Sequence, residues 1–165
     1  MLAKNPNDFR VYDTKGTALF ELKKFDPALV CFERALQLNP TFAEGYFHKA
    51  STLSSMAKND EALQEYGKAI QNNPNYFQAY NAQGLILYAQ KQYDESSEKY
   101  KKAIELSPSY APAYYNLGVL KYEIGEKNEA LTLYDKALEL DPGYWEVYNN
   151  KGLTLNNIGY PEEAI

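Results

Sequence analysis

Aromatic, small and polar positions recur along this chain at a fixed interval of 34 residues. Tyr12, Tyr46, Tyr80, Tyr114 and Tyr148 form one column, and Gly16, Ala50, Gly84, Gly118 and Gly152 follow four residues later. Ala28, Ala62, Ser96, Ala130 and Ala164 form a third column. Phe32, Tyr66, Tyr100 and Tyr134 come next, then Ala35, Ala69, Ala103 and Ala137. Pro6, Pro40, Pro74, Pro108 and Pro142 mark the same interval. A period of roughly 20–50 residues signals stacked repeats, each a single supersecondary unit that buries its apolar face only against its neighbours. The spacing defines units at 9–42, 43–76, 77–110 and 111–144, with a partial unit at 145–165 and the tail of a preceding one at 1–8.

Each unit reads as two helices. Tyr80 and Gly84 lie four apart on one helical face, where a large ring and a missing side chain fit close packing. Ser96, Tyr100 and Ala103 follow the i, i+4, i+7 pattern of a buried stripe. Asp60 and Asp94 are expected to cap second helices at their N-termini. Pro27 and Pro161 fit the first turn of such helices. The prolines at 40, 74, 108 and 142 end one unit before the next begins. Residues 161–165 only open a second helix. A fragment of a longer protein is therefore expected, with apolar surface around Leu153 and Leu155 open to self-association.

The 34-residue period and its small–aromatic–small signature resemble the tetratricopeptide repeat family over essentially the whole chain. The first aromatic is Tyr in all five copies, where the family commonly has Trp, and Ala50 and Ser96 are small substitutes. The resemblance implies an all-α solenoid of antiparallel helix pairs wound into a right-handed superhelix, first helices lining the concave face. A non-catalytic protein-interaction module fits such a scaffold, and the residues themselves offer no catalytic set, phosphate loop or cofactor site.

Composition narrows the partners. The 165 residues are 45% apolar and 24% charged, which is globular, and the net charge of −5 with no basic block disfavours nucleic acid and anionic membranes. No apolar run approaches a bilayer span, and MLAKNPNDF lacks the apolar core of a signal peptide. Cys31 is the only cysteine. A reducing, cytoplasmic setting fits, and Cys31 itself reads as an inert surface or boundary residue. His48 is the only histidine, so neither a zinc site nor a nucleophile–base pair has enough members. Glu61, Glu95, Glu98, Glu129, Glu162 and Glu163 read as a solvated second-helix face.

In relatives, the second, fifth, ninth, twelfth and thirteenth places of each unit point into the groove. Here these places supply an apolar and aromatic strip of Phe47, Leu85, Tyr88, Tyr115, Val119, Tyr122 and Leu153. They also set Asp13, Glu21, Glu44, Glu123 and Glu146 against Arg10 alone. Such a groove suits an apolar or aromatic peptide with basic residues nearby. The family's clamp for acidic chaperone C-terminal tails is not matched, because its places hold Asp13, Thr17, His48, Gln78 and Ala82. An asparagine ladder similar to that of the O-linked N-acetylglucosamine transferase is matched only by Asn116 and Asn150, with Asn81 and Asn149 one residue earlier. An adaptor binding a peptide in its groove is the leading reading. A self-associating scaffold, joined through the open C-terminal end or the convex face, and the recognition arm of a larger enzyme are the alternatives.

Overall fold

The computed structural model describes residues 8–159, which form nine α-helices and no strand. These are α1 (Phe9–Glu21), α2 (Phe25–Leu38), α3 (Ala43–Ser55), α4 (Asn59–Asn72), α5 (Phe77–Ala89), α6 (Tyr93–Leu106), α7 (Ala111–Glu123), α8 (Lys127–Leu140) and α9 (Trp145–Asn157). The chain divides into two compact units, one ending at Ala82 and one beginning at Gln83, with the boundary inside α5. In the first, α1 packs on α2, α2 on α3 and α3 on α4; in the second, α6 packs on α7, α7 on α8 and α8 on α9. The first helices also touch, α1 against α3 and α7 against α9.

Each helix pair folds back through a turn of three residues. Lys23, Ala57, Lys91 and Gly125 adopt the left-handed conformation there, with φ of 56°, 60°, 61° and 88°. Lys91 N–H donates to the Tyr88 carbonyl and Gln92 N–H to the Leu87 carbonyl, both at 2.9 Å. This pair of bonds is the Schellman arrangement, which satisfies carbonyls that a helix end leaves open. It recurs after α1, α3 and α7.

The residue that ends this turn is already the N-cap of the next helix, so the second helices start earlier than an acidic cap would place them. Asp60 and Asp94 are therefore not caps. Lys58 and Gln92 hold those places without a side-chain capping bond, and the two aspartates are the second residues of α4 and α6. They still lie in the first turn, where the helix dipole favours a carboxylate. Pro27 is the third residue of α2, as its missing N–H allows. Pro161 lies outside the described residues.

The recurring Asn-Pro or Asp-Pro phrase acquires a mechanism. Asn39, Asn73 and Asp141 end second helices with extended backbones, φ near −139°, as a following proline demands. Their side-chain oxygens accept from the backbone N–H two residues on, at Thr41 (3.2 Å), Asn75 (3.1 Å) and Gly143 (3.0 Å). These are Asx turns. The Tyr46, Tyr114 and Tyr148 hydroxyls then donate to the carbonyls of Pro40, Pro108 and Pro142, at 3.1, 3.2 and 3.3 Å. A hydroxyl at this place explains why the aromatic is tyrosine.

Small residues admit rings between paired helices. An ideal Cβ on Gly84 would stand 2.5 Å from Tyr100 Cε1, and one on Gly118 would stand 2.6 Å from Tyr134 Cε1. Tyr100 and Tyr134 are each 1% exposed. Cys31 is buried rather than at the surface. It shares the inward stripe of α2 with Ala28, Phe32 and Ala35. Leu155 is also buried, at 6% exposure, because α9 turns it inward, whereas Leu153 remains 53% exposed. Buried Glu65 is paired with Lys49 at 3.5 Å and Lys68 at 2.9 Å, and Lys49 also reaches Glu33 at 3.3 Å.

Candidate binding faces of the first helices

In the first unit the face is built by α1 and α3. Asp13 on α1 and His48 on α3 are joined at 2.8 Å, which ties neighbouring first helices together. Phe47 does not stand free. Its ring lies between Tyr66 (centroids 5.5 Å apart) and Tyr76 (5.0 Å), and is half buried. The Tyr66 hydroxyl meets Ser51 Oγ at 3.0 Å. Between the two helices opens a cavity of about 220 Å³, walled by Phe20, Phe32 and Phe47, with Thr17, His48 and Ser51 beside it and Glu21 in its lining.

The second unit repeats this plan with other side chains. Tyr115 is wedged between Tyr134 (6.2 Å) and Tyr144 (5.1 Å), as Phe47 is between its neighbours. The Asn150 amide donates to the Tyr115 hydroxyl at 2.8 Å, and the Asn157 amide donates to that of Tyr122 at 2.7 Å. Tyr88 packs on Tyr93 at 5.7 Å. A cavity of about 210 Å³ opens between α7 and α9, lined by Val119, Tyr122, Glu123, Tyr134, Asn150, Leu153 and Thr154.

The carboxylates shape the electrostatics of both faces. Burial pushes the Tyr76 phenol pKa up, and the charges of Glu44 and Asp13 push it further. Burial also raises Tyr88 and Tyr115, helped by Glu123 and Glu146 respectively, while the Asn150 bond partly offsets the rise at Tyr115. Tyr144 is pushed up to about 12, chiefly by burial. These rings stay neutral phenols at physiological pH, and each of the four carboxylates is close enough to a ring to act on it.

The predicted residues thus divide. Leu85 (45% exposed), Leu153 and Asn149 stand at the surface, and Tyr88, Asn116, Val119 and Tyr122 are half buried. Asn81 is only 6% exposed and faces into the protein, so it does not offer itself to a ligand. Asn150 already spends an N–H on Tyr115, which weakens its part in an asparagine ladder. Phe47 and Tyr115 serve packing as much as surface. Sequence reasoning missed Tyr76 and Tyr144, the rings that brace them. Their signal was a further 34-residue column, Phe42, Tyr76, Tyr110 and Tyr144.

Family models described as tetratricopeptide repeat match residues 14–42 and 111–144, and, in a second model, 31–64, 65–96 and 133–165. The chain belongs to the tetratricopeptide repeat family. A third model, described as TPR repeat, matches residues 84–125. Among solved structures, the TPR chain is similar to PilF of Pseudomonas aeruginosa (TM-score 0.89, 22% identity, 95% of this chain and 72% of that one). It is also similar to MamA (0.80, 23%, 96% and 87%) and to YrrB, described as a TPR protein with an unusual peptide-binding site (0.73, 22%, 98% and 83%). At these identities the likeness establishes the fold. No curated protein matches the TPR chain in sequence. Among the described residues no helix is long and apolar enough to cross a membrane.

Proposed function

We propose that this TPR chain is a non-catalytic, cytoplasmic protein-interaction module. Its first-helix faces bind peptide segments that carry apolar or aromatic side chains with basic residues nearby. The observation that supports this most is that each face combines an open, aromatic-walled cavity with a carboxylate in its lining. Glu21 and Glu123 form no ion pair among the described residues, and no Lys or Arg lines either cavity. Large rigid rings supply contact area at low entropic cost, and the carboxylates select the sign of the ligand's charge. YrrB, with its peptide-binding site, makes the class of ligand a natural one for this fold.

The test is panning of a random displayed-peptide library against the whole chain and against a Leu85→Glu, Leu153→Glu variant. Both leucines are about half exposed, so the variant should keep its helical circular dichroism. Peptides rich in aromatic and basic residues should be enriched on the parent and lost on the variant. Equal enrichment on both proteins would place binding elsewhere, and self-association through the C-terminal end would become the better account.

A further inference from the structure

The two cavities occupy the same register. Tyr122 follows Phe20, Glu123 follows Glu21, Tyr134 follows Phe32 and Asn150 follows His48 at three whole periods of 34 residues. They are one site written twice, once in each compact unit. The pairing of an aromatic at the twelfth place with a carboxylate at the thirteenth is not general. The thirteenth place is Ser55, Ala89 and Asn157 in the other units. The duplication is therefore selective.

We propose that each compact unit binds one copy of the same linear motif, an apolar side chain next to an arginine or lysine, so that one chain holds two. This rests on the peptide-binding reading above and adds the motif and its number. Size supports the apolar anchor. A cavity of about 150 Å³ holds a benzene molecule, so these cavities of about 220 and 210 Å³ have room for one phenylalanine or leucine side chain. Charge supports the neighbour. Among the described residues Glu21 and Glu123 are solvent-exposed carboxylates without a cationic partner, and Phe20 or Tyr122 beside them offers a ring face to a guanidinium. The sites differ at the ninth places of the paired first helices. Thr17 and Ser51 make the first site more polar, and Val119 and Leu153 make the second more apolar. The second site holds the apolar anchor more tightly.

The experiment titrates the isotope-labelled full chain with the blocked tetrapeptide acetyl-Gly-Phe-Arg-Gly-amide and follows amide shifts by NMR. Two separate sets of shifting amides are expected, one around Phe20 and Ser51 and one around Tyr122 and Leu153. Glu21→Gln should weaken only the first set and Glu123→Gln only the second, each by about two- to fivefold, the range for an exposed ion pair. Glu123→Lys should make the second site prefer the probe with Glu in place of Arg. A single shifting set, two sets indifferent to every charge variant, or no shifts at all would each overturn the paired-site inference. The broader peptide-binding reading fails separately, on equal library enrichment with the double leucine variant.

Discussion

Gly84 provides the sharpest test of how a helix pair is held. Replacing it by alanine adds one methyl group, which would sit 2.5 Å from Tyr100 Cε1, 2.7 Å from Cδ1 and 3.1 Å from Cζ. Carbon atoms in contact prefer about 3.5–4.0 Å, so the ring must retreat by about 1 Å. It has nowhere to go. Tyr100 is 1% exposed and shares a cluster with Leu117 and Leu120, with Ile104 and Leu133 packed against it. Overpacking of this kind costs about 1–3 kcal/mol, and the higher helix propensity of alanine returns about 1 kcal/mol. The net is a destabilisation of about 1 kcal/mol, or a fall in Tm of about 2–4 °C for a chain of this size. Tyr100→Leu shortens the obstructing side chain. In that background Gly84→Ala should become neutral or stabilising by up to about 1 kcal/mol. Thermal and urea unfolding of the four proteins followed by circular dichroism measure the cycle. If Gly84→Ala stabilises the parent, or has the same effect in both backgrounds, the ring does not press on this glycine and the packing argument is wrong.

Other expectations follow from the same geometry. The Tyr115–Asn150 bond should appear as a coupling of about 0.5–1.5 kcal/mol in a Tyr115→Phe, Asn150→Ala double-mutant cycle; strictly additive effects would mean it contributes nothing. Replacing buried Glu65 by leucine, the residue type found at the same place as Leu133, should leave stability unchanged or raise it, because it removes the unpartnered Oε2 while Lys49 keeps Glu33 at 3.3 Å. Lys49→Met should cost about 1–3 kcal/mol, because Glu65 Oε2 is already without a partner and the carboxylate would keep only the half-exposed Lys68 as a cation. Similar unfolding midpoints for these two variants would contradict that account. Burial raises the phenol pKa of Tyr66, Tyr100, Tyr134 and Tyr144, whereas in the unfolded chain they titrate near the ordinary value of about 10. Above that pH the unfolded state has released protons that the folded state keeps. The stabilisation is therefore complete below about pH 10 and lost as pH climbs through the folded-state values. The urea midpoint should hold from about pH 8 to about pH 10 and then fall; a flat profile to about pH 11 would show the rings to be less shielded than the structure indicates.

The helix pairs were legible because six columns repeat without a slip, and one-residue errors would have been visible as a broken period. The turns were less so. Lys23, Ala57 and Lys91 take the left-handed conformation without being glycine or asparagine, so nothing in their residue types announces it. The caps were misjudged for that reason, since the Schellman turn brings the helix start ahead of the expected Asp60 and Asp94. On the candidate faces, periodicity picked out residues that line a cavity, such as Val119, Tyr122 and Leu153, but not how far each ring sinks. Phe47 and Tyr115 share a place with Asn81; the two rings are partly buried because Tyr76 and Tyr144 pack on them, and Asn81 is buried. For Tyr115 that burial depends on Asn150, at the sixth place of the next repeat, and for both rings on the tyrosine braced behind them. These are contacts between units, and a single-helix reading does not contain them. Leu153 and Leu155 make the same point, since two residues along one helix exchange the surface for the interior.

The hydroxyl bonds from Tyr46, Tyr114 and Tyr148 back to Pro40, Pro108 and Pro142 join the end of one unit to the first helix of the next. They work as a length gauge. One residue inserted between Pro108 and Tyr114 would rotate the ring by about 100° around its helix and carry the hydroxyl away from the carbonyl. Loops elsewhere in proteins drift in length easily, but a loop clasped in this way does not. A copied or deleted block of 34 residues, by contrast, leaves a proline six residues before every such tyrosine. Such a chain can lengthen or shorten by whole units while every junction keeps its geometry, and this makes the number of units the cheapest variable for changing how much binding face one polypeptide presents.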